Sequence, residues 1–131
     1  MNAFRLDNDI AVITGGGTGL GLGMARCMAE AGATVVLAGR RESVLHEAVG
    51  QIGDRATYQV FDVTESGAAP DLVRRIEAAT GPISILANNA GVHLKKPAVE
   101  TTEDEFAHVL NTHVMGAHAL TRAVAPGMME R

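Results

Sequence analysis

At 131 residues, 47% hydrophobic and 20% charged, the chain has the length and composition of one globular domain. Eleven lysines and arginines against fifteen acids leave a net charge of −4 without basic blocks, which argues against a nucleic-acid partner. A single cysteine excludes an internal disulfide, no apolar run approaches the ~20 residues of a membrane span, and MNAFRLDND lacks a secretory core, so the expected address is the cytoplasm.

The first predicted strand is the apolar run Ile10 to Thr14. Directly after it comes TGGGTGLGLG, Thr14 to Gly23, with six glycines in ten positions. A glycine inside a helix costs roughly 1 kcal/mol relative to alanine, so this run implies a backbone that bends sharply or touches something. Leu20, Met24, Cys27, Met28 and Ala31 then share a helical face, which places Cys27 in the core. Thr34 to Ala38 is the second strand, and Leu45, Ala48, Val49 and Ile52 line the second helix. Thr57 to Phe61 is the third strand, with Leu72, Ile76 and Ala79 on the helix behind it. Ile83 to Ala87 is the fourth. The last helix is the longest: Thr102 and Glu105 form a capping box, and a stripe of Phe106, Val109, Leu110, His113, Val114, Ala117, Leu120 and Val124 runs as far as Pro126.

This alternation predicts a doubly wound α/β fold of parallel strands joined by right-handed helical crossovers, with ligands at the carboxyl ends of the strands. The glycine run lies at such an end, where a helix N-terminus offers free amides and a positive dipole end, so a pyrophosphate cradle is the leading reading. GxGxxG fits nowhere in Gly15 to Gly23, and the P-loop lysine is absent. TGxxxGxG does fit, on Thr14, Gly15, Gly19 and Gly21. A second register, Gly17, Gly21 and Gly23, satisfies the glycine spacing alone. A turn without a ligand would need only one or two glycines.

Together with Asn88-Asn89-Ala90-Gly91 after the fourth strand, which matches NNAG, this motif resembles the TGxxxGxG branch of the short-chain dehydrogenase/reductase family. Asp62-Val63 at the end of the third strand, and Asn111 in HVLNTHVMGA, which looks like the family's VNxxG pattern, extend the resemblance over essentially the whole chain. It implies a Rossmann-type, three-layer αβα sheet, here its first four strands and helices. It also implies cofactor contacts from Thr14, Gly15, Gly17, Thr18, Gly19, Leu20 and Gly21, from Asp62 and Val63 near the adenine, and from Asn89, Ala90 and Gly91. Asn111 would kink the long helix and hold a water beside the catalytic lysine.

The chemistry so implied is reversible hydride transfer between a nicotinamide and a carbonyl or secondary alcohol, with a tyrosine as general acid/base, a lysine four residues later and a serine on the substrate oxygen. Here the only tyrosine is Tyr58, inside the third strand with Asp62 four residues on, and Ser43, Ser66 and Ser84 precede the segment expected to carry the serine. Residues 1–131 are therefore expected to be the N-terminal cofactor-binding half of one domain. The catalytic serine, tyrosine and lysine would lie beyond Arg131, and the piece alone would be inactive. A sheet stopping at Ile83 to Ala87 would leave an apolar edge unpaired and half of the long helix's stripe uncovered.

For cofactor choice, the second strand continues Val36-Leu37-Ala38-Gly39-Arg40-Arg41, with no acid before Glu42. Arg40 and Arg41 favour NADP, with NAD as the alternative, because guanidiniums grip a 2′-phosphate where a carboxylate would repel it. The glycine loop carries Thr18 where NADP-preferring relatives often have a base, and the plainer reading makes both arginines solvated loop residues. No metal site is expected: His108, His113 and His118 recur every five positions, ~140° apart on an α-helix, and read as packing or surface residues. Lys95 and Lys96 read as solvated loop. The resemblance implies a homo-oligomer, a dimer or more usually a tetramer, acting on a small-molecule substrate. A non-catalytic nucleotide-binding module is the alternative function, and a methyltransferase fits the motifs poorly.

Overall fold

The computed structural model describes residues 3–131. Strands β1 (Ile10–Thr14), β2 (Thr34–Gly39), β3 (Ala56–Val60) and β4 (Ile85–Ala87) alternate with helices α1 (Gly19–Glu30), α2 (Glu42–Ile52) and α3 (Ala69–Thr80). After β4 come α4 (Glu103–Leu110), a π-helical stretch (Asn111–Met115) and α5 (Gly116–Glu130). The strands form one parallel sheet in the order β3-β2-β1-β4. The order therefore reverses between β1 and β4, and a crevice opens at their carboxyl ends.

Alternation along the central strands divides the core into two. Ile10, Val12, Val36 and Ala38 face Leu72 and Ile76 of α3 and Leu120 and Val124 of α5. Ala11, Ile13, Val35 and Leu37 face Ala25 and Ala29 of α1 and Leu45 and Ala48 of α2. This is the three-layer αβα arrangement expected of strands apolar on both sides. Ile13, Leu37, Leu45, Leu72 and Ile76 are essentially fully buried, each stabilising the fold by roughly 1.5–3 kcal/mol relative to an exposed side chain.

Four local expectations are corrected. Cys27 is exposed, and Leu20 is 83% exposed; α1 instead buries Gly21, Ala25 and Ala29, because small residues let the helix lie close on the sheet. The capping box is half formed: Thr102 Oγ1 accepts the Glu105 N–H at 3.1 Å, while the Glu105 carboxylate turns to Lys96 Nζ at 2.9 Å. Lys96 is thus ion-paired rather than merely solvated. The long helix does not stop at Pro126, which lies within α5.

At the other margin of the sheet, β4 is paired only with β1, and its three residues are half-buried. Phe106, Leu110, Val114 and Met115 are exposed on the outer face of the long helix. Its buried positions are Thr112, Gly116, Leu120 and Val124, one helical turn apart. Among the described residues no helix is long and apolar enough to cross a membrane.

Candidate functional site

The glycine turn is built by one backbone conformation and one close approach. Gly15 has φ +64°, a region that a side chain disfavours, and the chain leaves β1 there toward α1. At Gly21 a Cβ would collide with the Gly15 carbonyl and stand 2.5 Å from Asn89 Nδ2. Glycine at this position thus lets the first turn of α1 lie against the loop it follows. A Cβ on Gly23 would meet open space, so the second register has no steric support, and α1 already begins at Gly19. The Thr18 side chain caps none of the first-turn amides, which leaves them available to an anion.

A polar knot joins this turn to the segment after β4. Thr14, which is buried, accepts the backbone N–H groups of Asn89 and Ala90 on its Oγ1 at 3.0 and 2.9 Å. Asn89 Nδ2 donates to the carbonyls of Thr14 and Gly15 at 3.1 and 3.3 Å. Asn88 Nδ2 donates to Thr121 Oγ1 on α5 at 3.1 Å. Asn89 thus fastens the ends of β1 and β4, and Asn88 ties the segment after β4 to α5.

Above the knot lies an open cleft. Of the sequence-derived candidates, Gly15, Gly17, Thr18, Arg40, Arg41, Asp62, Val63, Ala90 and Gly91 line it. Thr14 and Asn89 support it from below, Gly21 is buried against Gly15, and Gly19 and Leu20 are exposed at the start of α1. Arg40 and Arg41 are both exposed at one end, and among the described residues neither is ion-paired. Asp62 Oδ1 accepts the Thr64 hydroxyl at 2.7 Å and the Thr64 N–H at 2.9 Å. Burial pushes the Asp62 carboxyl up, but the Thr64 hydrogen bonds, with the charges of Arg40 and His108, outweigh it and hold the group below its usual 3.8.

Asn111 opens the π-helical stretch, so the irregularity lies where the resemblance places a kink. Its side chain is exposed and does not line the cleft, which His108 and Thr112 do. His113 reaches the same region: its Nε2 lies 3.0 Å from Val92 N and 2.8 Å from Val92 O, accepting from one or donating to the other according to tautomer. A Cβ on Gly91 would stand 2.5 Å from His113 Cε1. All three histidines are exposed, in keeping with surface or packing residues, but His108 stands at the cleft and His113 packs against Gly91 and Val92. A π turn advances each residue by less than the 100° of an α-helix, so five residues there subtend a different angle from ~140°. One signal was available: Gly116 stands three residues after His113, the separation in VNxxG, whereas Val114 stands three after Asn111. Among the described residues no group of three or more His, Cys, Asp or Glu could hold a metal.

A family model described as short chain dehydrogenase matches residues 9–131. Gluconate 5-dehydrogenase of Gluconobacter oxydans is 37% identical over 131 residues, 98% of this chain and 51% of that protein. L-sorbose reductase of Gluconobacter frateurii, solved with NADPH and L-sorbose, is 31% identical with a TM-score of 0.90 over 100% of this chain and 51% of its own. A 3-ketoacyl-(acyl-carrier-protein) reductase of Brucella melitensis, solved with NADH, is 32% identical with a TM-score of 0.91, covering 96% of this chain and 52% of its own. The chain spans about half the length of the curated relatives it matches. With the glycine turn, the Thr14–Asn89 knot and a family match over nearly all its residues, this chain belongs to the short-chain dehydrogenase family.

Proposed function

We propose that this chain is the cofactor-binding half of an NADP-dependent oxidoreductase that interconverts a carbonyl and a secondary alcohol. The observation that carries the reading is the pair Arg40 and Arg41 at one end of the cleft, free of ion pairs among the described residues, with a glycine turn of uncapped amides at its middle. An NADP molecule fits these groups. The first-turn amides of α1, with Gly15, Gly17 and Thr18, would receive the diphosphate, and the guanidiniums the 2′-phosphate. Asp62 and Val63 would flank the adenine, and Asn89, Ala90 and Gly91 the nicotinamide ribose. When bound, the cofactor supplies or accepts the hydride. The chain's own part is to bind and orient it, and the π turn opened by Asn111 shapes the wall beside Val92.

The tyrosine that the family relationship implies as proton donor is not among the residues lining this cleft: the only tyrosine, Tyr58, is on β3 and bonded to Glu42. The serine, tyrosine and lysine that the family relationship implies would come from residues beyond Arg131, in one domain with residues 1–131. The same observation favours a second reading, a nucleotide-binding module without catalysis. The proposed setting is cytoplasmic, with assembly as a homo-oligomer and a small carbonyl or alcohol as substrate.

Fluorescence titration with NADPH and NADH tests the cofactor assignment. Wild type should bind NADPH more tightly, and Arg40→Asp should remove that preference; an unchanged preference would take Arg40 out of the argument. A screen of carbonyl compounds with NADPH separates enzyme from module: the 131-residue chain should give no turnover, and a chain extended to family length should oxidise NADPH. Silence from the extended chain would favour the module.

A further inference from the structure

Glu42 is the first acid after β2 and directly follows Arg41, a cleft-lining residue, yet Glu42 itself does not line the cleft. The Tyr58 hydroxyl, on the edge strand β3, donates to Glu42 Oε1 at 3.1 Å. One turn further along α2, His46 meets the Tyr58 ring edge-on, with centroids 6.2 Å apart and planes at 87°. Glu42 and His46 are four residues apart and so share a helix face, and that face meets Tyr58. Val44 and Leu45 of α2 line the cleft. The Glu42 carboxylate, next in sequence to Arg41, is therefore held by a tyrosine of β3 and stays off the cleft wall.

We propose that Tyr58 is a specificity-determining residue: by latching Glu42 onto β3 it keeps a second carboxylate, besides that of Asp62, from the part of the cleft where Arg40 and Arg41 stand, so that a nucleotide 2′-phosphate is accepted there. This deepens the assignment of NADP and rests on it. A released Glu42 has the reach to compete for the same guanidiniums and to repel the phosphate, while its carboxylate suits the paired ribose hydroxyls of NAD. The latch is a hydrogen bond at the surface, so its effect belongs in the ratio of two affinities rather than in the fold.

The test is the NADPH to NADH affinity ratio of the chain, from fluorescence titrations of wild type, Tyr58→Phe, Glu42→Asp and the double variant Tyr58→Phe/Glu42→Gln. Tyr58→Phe removes the donor; Glu42→Asp keeps the charge on an arm too short for the bond. Each should lower the ratio by up to roughly fivefold, the range of a surface charge interaction. The double variant, having no carboxylate to release, should return to the wild-type ratio or exceed it. A role confined to folding would weaken both affinities together and leave the ratio still. Unchanged ratios in both single variants, with wild type preferring NADPH, would overturn the latch alone, as would a loss that the double variant fails to reverse. A wild type that prefers NADH would overturn the NADP assignment and the latch with it.

Discussion

The Thr14 hydroxyl oxygen accepts the Asn89 backbone N–H at 3.0 Å, and Asn89 Nδ2 donates back to the Thr14 carbonyl at 3.1 Å. Two residues 75 apart in sequence thus fasten the ends of β1 and β4 beside the crevice where strand order reverses. Thr14→Val keeps the shape and removes the acceptor, stranding two amides at a cost of about 1–3 kcal/mol. Urea melts should show that loss, and Thr14→Ser should recover most of it.

Gly21 belongs to both glycine registers and Gly23 to the second alone, so Gly23 separates them. Gly21→Ala forces a methyl group into the Gly15 carbonyl, which should cost about 1–3 kcal/mol and weaken nucleotide binding. Gly23→Ala enters open space within a helix and should stabilise by roughly 1 kcal/mol with unchanged affinity. Thermal melts and titrations of the pair decide the matter; equal behaviour would contradict the chosen register.

Asp62 has a lowered folded pKa, so its hydrogen bonds stabilise the native state above the unfolded value near 3.8 and cease to do so as pH falls through the folded value. The stability gap between wild type and Asp62→Asn should therefore be flat from pH 8 to about pH 5 and narrow only at lower pH. Urea melts across that range are the check. A gap changing near neutrality would point to a different group.

His113→Ala removes the partner of Val92, and the expected result is a loss of about 1 kcal/mol and faster amide exchange at Val92. Asn111→Ala tests the role proposed for that residue: it should change the π turn, read by circular dichroism and nucleotide affinity, without freeing Val92. If Asn111→Ala loosens Val92 while His113→Ala does not, the described geometry is wrong.

Much of this arrangement is legible in the sequence. Short apolar runs marked all four strands within a residue or two, because strands buried on both faces have little else to encode them. TGxxxGxG was readable because steric demand at Gly15 and Gly21 leaves no other residue type. Periodicity failed where its premise failed. In α1 the buried positions are glycine and alanine, so the larger Leu20 and Cys27 misled the choice of face. In the long helix the π stretch from Asn111 to Met115 breaks the 3.6-residue phase on which the stripe was drawn. Glu105 shows a third limit, since a capping pattern names two residues but not the lysine that competes for one of them.

Gly116 follows the π stretch, and a Cβ there would stand 2.8 Å from the Val63 carbonyl oxygen. Three residues earlier, His113 grips Val92. One short strut thereby spans both extremities of the groove, braced on Val63 at the end assigned to the purine and on Val92 at the other. Displacement of either brace has to load the other, so an adenosine fragment that never reaches Val92 should still slow the solvent exchange of its amide.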